Sequence, residues 1–90
     1  MSLAFYSDAA EKTLHELTRS EQAAVESVRR RLAEQPSLDG ARTLPDHGTG
    51  SRTFAYELLP EQTNGRGISV VYRHAEDLDA VLILWLIAGP

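Results

Sequence analysis

Val81-Leu82-Ile83-Leu84-Trp85-Leu86-Ile87 is apolar at every position. Periodicity does not separate strand from helix in such a run, but its shortness and β-branched residues favour a strand. Apolar residues without alternation imply cover on both faces, and so a central place in a sheet. That choice fixes what the preceding segments must be. Ile68, Val70 and Tyr72 alternate with Ser69, Val71 and Arg73, and Phe54, Tyr56 and Leu58 alternate with Thr53, Ala55 and Glu57. Both stretches have the period of two that a strand shows. Ala75–Asp79 is a charged turn, and Pro60–Gly67 holds Asn64-Gly65, a strong turn signal. Three successive strands therefore form an antiparallel meander.

The period changes upstream. Leu3-Ala4-Phe5-Tyr6 reads as a first short strand, ending at the turn-forming Ser7-Asp8. Ser7 or Asp8 is placed to cap a helix, and Asp8 with Glu11 has capping-box spacing. Ala10, Leu14 and Leu17 follow at i, i+4 and i+7, one helical face. A second helix starts at once: Thr18 and Glu21 make a capping-box pair, with Ser20 as a rival cap. Its apolar stripe is Ala24, Val25, Val28 and Leu32, and Pro36 stops it. So short a connection makes the helices an antiparallel hairpin. Pro36–Gly50 is mostly loop, with Arg42-Thr43-Leu44 as a brief edge piece. The order is β-α-α-β-β-β, an α+β fold with the helical hairpin on one face of a mainly antiparallel sheet. The expected core is Phe5, Leu14, Leu17, Val25, Val28, Leu32, Phe54, Tyr56, Val70, Tyr72, Ile83 and Trp85.

The chain has 90 residues, room for one domain with one modest core. It has no cysteine, which excludes a disulfide framework and fits a reducing cytosol. Nine Lys and Arg against 13 Asp and Glu give a net charge of −4. That balance argues against a broad grip on nucleic acid, though a local basic patch survives it. The longest apolar run, Ala80–Ala88, is far short of the ~20 residues of a membrane helix. Met1–Tyr6 lacks the features of a signal peptide. A cytoplasmic protein with no membrane association is expected.

The order, length and local wording resemble the RelE/ParE family of type II toxin–antitoxin toxins. The resemblance is carried by Phe5-Tyr6-Ser7-Asp8-Ala9-Ala10-Glu11, Leu32-Ala33-Glu34-Gln35-Pro36, Phe54-Ala55-Tyr56-Glu57-Leu58, Ile68-Ser69-Val70-Val71-Tyr72 and Val81–Gly89. It implies a toxin held silent by an antitoxin and acting on ribosome-bound mRNA or on DNA gyrase. The departures bear on activity. Ser69 stands where ribosome-dependent members commonly carry an arginine, and Ala55 and Glu57 where lysines are expected. No basic residue follows the last strand.

RNA cleavage on such a fold needs a base for a 2′-hydroxyl, an acid for the leaving oxygen and fixed positive charge. His47, His74, Arg52, Arg66 and Arg73 are the residue types available. Arg suits phosphate through its planar fork, and His suits proton transfer near neutral pH. The candidate site is Arg52, Arg73 and His47, converging on the sheet face away from the helices, with Arg52 meeting Arg73 across neighbouring strands. Each also has a plain reading as a solvated residue near a strand end.

Other features carry less. Glu11 and His15 have i, i+4 spacing that can suit a metal, but no second pair completes a site. Arg29-Arg30-Arg31 spreads around its helix, although Arg30 with Arg19 could meet an acidic partner. His47-Gly48-Thr49-Gly50 lacks the helix start and lysine of a phosphate loop. No cofactor or metal is expected. Beside the toxin readings stands a catalytically inactive protein-binding or dimeric scaffold domain of the same fold.

Overall fold

The computed structural model describes residues 3–36, 38–44 and 52–89; the Glu76 side chain and candidate His47 lie outside this description. The elements are β1 (Leu3–Tyr6), α1 (Asp8–Glu16), α2 (Arg19–Glu34), β2 (Arg42–Thr43), β3 (Arg52–Leu58), α3 (Pro60–Thr63), β4 (Ile68–Ala75) and β5 (Ala80–Ala88). A 3-10 turn, Glu76–Leu78, joins β4 to β5. The strand order is β1-β5-β4-β3-β2. β1 runs parallel to β5, and every other pairing is antiparallel. The α+β architecture and the meander are as expected, and the brief edge piece is β2.

Local chemistry explains the helix starts. Ser7, not an Asp8–Glu11 box, caps α1 by accepting from the Ala10 N–H. The Thr18–Glu21 box forms in full at α2: the Thr18 hydroxyl accepts from the Glu21 N–H, and the Glu21 carboxylate accepts from the Thr18 N–H. The short α3, with Pro60 in its first turn, was not foreseen inside Pro60–Gly67. Proline is tolerated there because its missing N–H would have had no helical partner. Among the described residues no helix is long and apolar enough to cross a membrane.

The core lies between the two long helices and one face of the sheet. Ala10, Leu17, Val25, Val28 and Leu32 meet Ile68, Val70, Tyr72, Val81, Ile83 and Leu86 there. Leu14, Phe54 and Tyr56 pack against this cluster half-buried, and Leu38 joins it from the segment after α2.

Two expected core residues are outside it: Trp85 is 55 % exposed and Phe5 51 %. For Trp85 the cause is a bulge. Val71 pairs with Trp85 but Tyr72 pairs with Ile83, so Leu84 has no partner on β4. The extra residue inverts the alternation, turning Ile83 in and Trp85 out. Ser7 takes up the bulge: its N–H donates to the Ile83 carbonyl at 2.8 Å and its hydroxyl to the Leu84 carbonyl at 2.7 Å. Phe5 pairs with Leu82 and shares its outward parity, while Ala4 and Tyr6 face the helices. β5 is thus interior in the sheet, as expected, but Leu82, Trp85 and Ile87 are exposed on its second face.

Candidate functional site

The sheet face away from the helices is ordered in rows by the strand register. One row is Phe5, Leu82, Arg73 and Thr53; the next is Trp85, Val71, Ala55 and Arg42; the third is Ile87, Ser69 and Glu57. Arg73 therefore lies on the open face, as expected. Arg52 does not. It pairs with His74, while Arg73 pairs with Thr53, and neighbours in a strand point to opposite faces. Arg52 and His74 share the helix side with Phe54 and Tyr72. The expected meeting of Arg52 with Arg73 fails by one position of register.

The sign of charge at the third row is the more telling feature. Glu57 accepts from the Ser69 hydroxyl at 2.6 Å and pairs with Arg42 at 3.1 Å. Ser69 and Glu57 are two positions where the family resemblance calls for basic residues, and the structure joins them to each other. Ala55, the third, is buried in the middle row. A carboxylate with one exposed arginine beside it supplies no net positive field for a phosphorane. Counting outward from the Leu58–Ile68 pair that flanks the turn would have found the Glu57–Ser69 pairing; the turn's bounds were legible, but a connection of that length does not by itself fix the register.

Two further polar arrangements stand off this face. Glu26 bonds the Tyr6 hydroxyl at 2.7 Å and is bridged by Arg29, whose other arm reaches the Ala4 carbonyl. Arg29 holds the Glu26 carboxyl below its ordinary range, and burial, then Glu26, pushes the Tyr6 phenol up. Tyr72, stacked on Phe54, has a buried hydroxyl with no hydrogen-bond partner among the described residues, and burial raises it to about 12. A group that ionises so far above neutrality is no base at physiological pH. Glu11 and His15 are both exposed, and no cluster of three metal-ligating side chains occurs among the described residues.

Solved structures match this arrangement from end to end. The toxin–antitoxin complex RelBE2 of Mycobacterium tuberculosis has a chain 22% identical, with a TM-score of 0.74 over 98% of both chains. The archaeal RelE–RelB complex of Pyrococcus horikoshii OT3 gives 16% identity and a TM-score of 0.77, over 97% of this chain and 93% of that one. The intact RelBE complex of E. coli gives 12% and 0.77, over 100% and 99%. This chain has the RelE toxin fold. No protein-family profile and no curated protein matches the sequence. The RelE fold places the open sheet face and its rows, but at these identities it assigns no chemistry to them.

Proposed function

We propose that this chain is the toxin of a type II toxin–antitoxin pair, bound and neutralised in the cytoplasm by an antitoxin. The observation that carries the reading is the end-to-end likeness to chains solved as toxin–antitoxin complexes. The exposed Trp85 and Ile87 support it, because an open apolar sheet face suits a partner segment laid across it. Of the described candidate residues, Arg73 is the one on that face, and we assign it contact with the target. Arg52 and His47 take no role in this reading.

The Glu57–Ser69–Arg42 group favours a target other than RNA bound for cleavage. DNA gyrase, whose inhibition needs binding and no phosphodiester chemistry from the toxin, fits such a face better than ribosome-bound mRNA. The test is induction in a bacterium, with and without the gene adjacent to it. Growth arrest relieved by that gene, with altered supercoiling and intact mRNA, is the expected result. Absence of arrest from folded protein would sink the toxin reading and leave the inactive scaffold. Arrest with site-specific mRNA cleavage would sustain the toxin reading but return the target to translation.

A further inference from the structure

We propose that the end of the open face around Phe5, Leu82 and Arg73 is a self-association surface, closed by a second copy of this chain about a two-fold axis. Those residues and Leu78 line a cleft of about 380 Å³. Its apolar walls are uncovered: Leu78 is 72 % exposed, Phe5 51 % and Leu82 37 %. Patches of this kind mark contacts when a charged rim surrounds them.

The rim carries both signs. Arg73 is exposed on β4, and Asp77 is exposed on the 3-10 turn next to Leu78. Neither side chain has a hydrogen bond or ion pair among the described residues, and they do not pair with each other. The cleft thus calls for an apolar side chain beside a carboxylate, and Asp77-Leu78 of this same chain presents that combination. A two-fold contact sets each residue of a patch against the counterpart of another. Leu78 of each copy enters the other's cleft, and Arg73 of each meets Asp77 of the other. Two such reciprocal pairs offset the repulsion between copies of net charge −4 and fix the register. The contact would also occupy Arg73, so a dimer and a target could not hold that guanidinium together. The proposal does not rest on the toxin reading, because its test measures no growth arrest.

The test is sedimentation equilibrium of the full chain from micromolar to millimolar concentration, on wild type, Leu78→Asp, Arg73→Glu and Asp77→Arg. Circular dichroism confirms the fold of each variant. A concentration-dependent dimer is expected in wild type. Each variant should weaken it by about tenfold or more, as removal of a central contact does. The decisive sample mixes Arg73→Glu with Asp77→Arg. In the mixed dimer the introduced glutamate faces the introduced arginine, and the native Asp77 of one copy faces the native Arg73 of the other. It should therefore form more tightly than either variant alone. A wild type monomeric throughout, a dimer indifferent to all three changes, or a mixture no tighter than its components would each overturn the proposal.

Discussion

Glu21 and Arg66, 45 positions apart, are joined by three hydrogen bonds: the Glu21 carboxylate accepts from Nε, Nη2 and the backbone N–H of Arg66 at 3.0–3.1 Å. The same carboxylate caps α2 through Thr18, and its side chain is 1 % exposed. One residue thus ties the start of α2 to the β3–β4 connection.

This bridge predicts an acid-labile fold. Arg66's side chain, then the N–H groups of Thr18 and Arg66, hold the Glu21 carboxyl well below its ordinary 4.5. As pH falls the unfolded chain takes up this proton first. The contribution is therefore full above pH 4.5 and is lost as pH drops toward the folded value. Glu21→Gln keeps a residue suited to the capping box but removes the charge. It should lower the urea midpoint at neutral pH and make the acid loss shallower, with Glu26 still contributing. An acid profile parallel to wild type would show that Glu21 is not the group responsible.

Gly65→Ala should destabilise through the same bridge. A Cβ on Gly65 would lie 2.8 Å from Glu21 Oε2. That oxygen is pinned by Arg66 and does not yield freely, so the crowding should cost about 1–3 kcal/mol. In a Glu21→Ala background the obstacle is gone and the cost of the added methyl should shrink. Equal costs in both backgrounds, from a double-mutant cycle in urea, would refute the crowding account.

The bulge at Leu84 predicts a sharp contrast two residues apart. Ile83→Ala should cost about 2–5 kcal/mol, as for a fully buried aliphatic side chain. Trp85→Ala should stay within about 0.5 kcal/mol, as at most surface sites. Trp85 is the sole tryptophan, so its fluorescence reads the same point directly. Emission from the folded protein should resemble that of the unfolded chain and be open to iodide quenching. A blue-shifted, protected signal at a concentration where the chain is monomeric would return Trp85 to the core.

How much of this was legible follows from what each residue can encode. Val25, Val28 and Leu32 disclose a helical stripe because polar residues separate them, and Thr18 with Glu21 discloses the cap. Val81–Ile87 has no polar residue to mark its parity, so one extra residue at Leu84 exchanged the faces unseen. The Glu57–Ser69 pair was hidden by a one-position uncertainty in register, since a turn spanning Pro60–Gly67 does not fix which residues of the flanking strands face each other. Glu21 announced one partner, three residues away, and nothing local announced Arg66.

Tyr72→Phe should leave stability unchanged or raised. The Tyr72 hydroxyl is buried without a partner among the described residues, so its removal takes away a desolvated polar atom while the stack on Phe54 remains. Burial alone holds that phenol at about 12. A loss of about 1 kcal/mol or more in urea would reveal a partner outside the described residues.

Arg52→Ala and Arg73→Ala should separate cleanly, because the register sets the two guanidiniums on opposite faces. Arg73 stands on the open face beside exposed apolar residues, where a target or partner can reach it. Arg52 stands beside His74 on the side that the helices cover. In a growth-arrest assay at matched folded protein, Arg73→Ala should weaken toxicity and Arg52→Ala should not, with the double variant no worse than Arg73→Ala. Purified wild type should leave naked RNA intact, since Glu57, bonded to Ser69 and Arg42, puts a carboxylate at a position where the family resemblance calls for a basic residue. Two results would reverse the reading. Cleavage of naked RNA abolished by a single substitution would make this face a nuclease site despite Glu57. Loss of toxicity from Arg52→Ala alone would move the functional surface to the strand ends on the helix side.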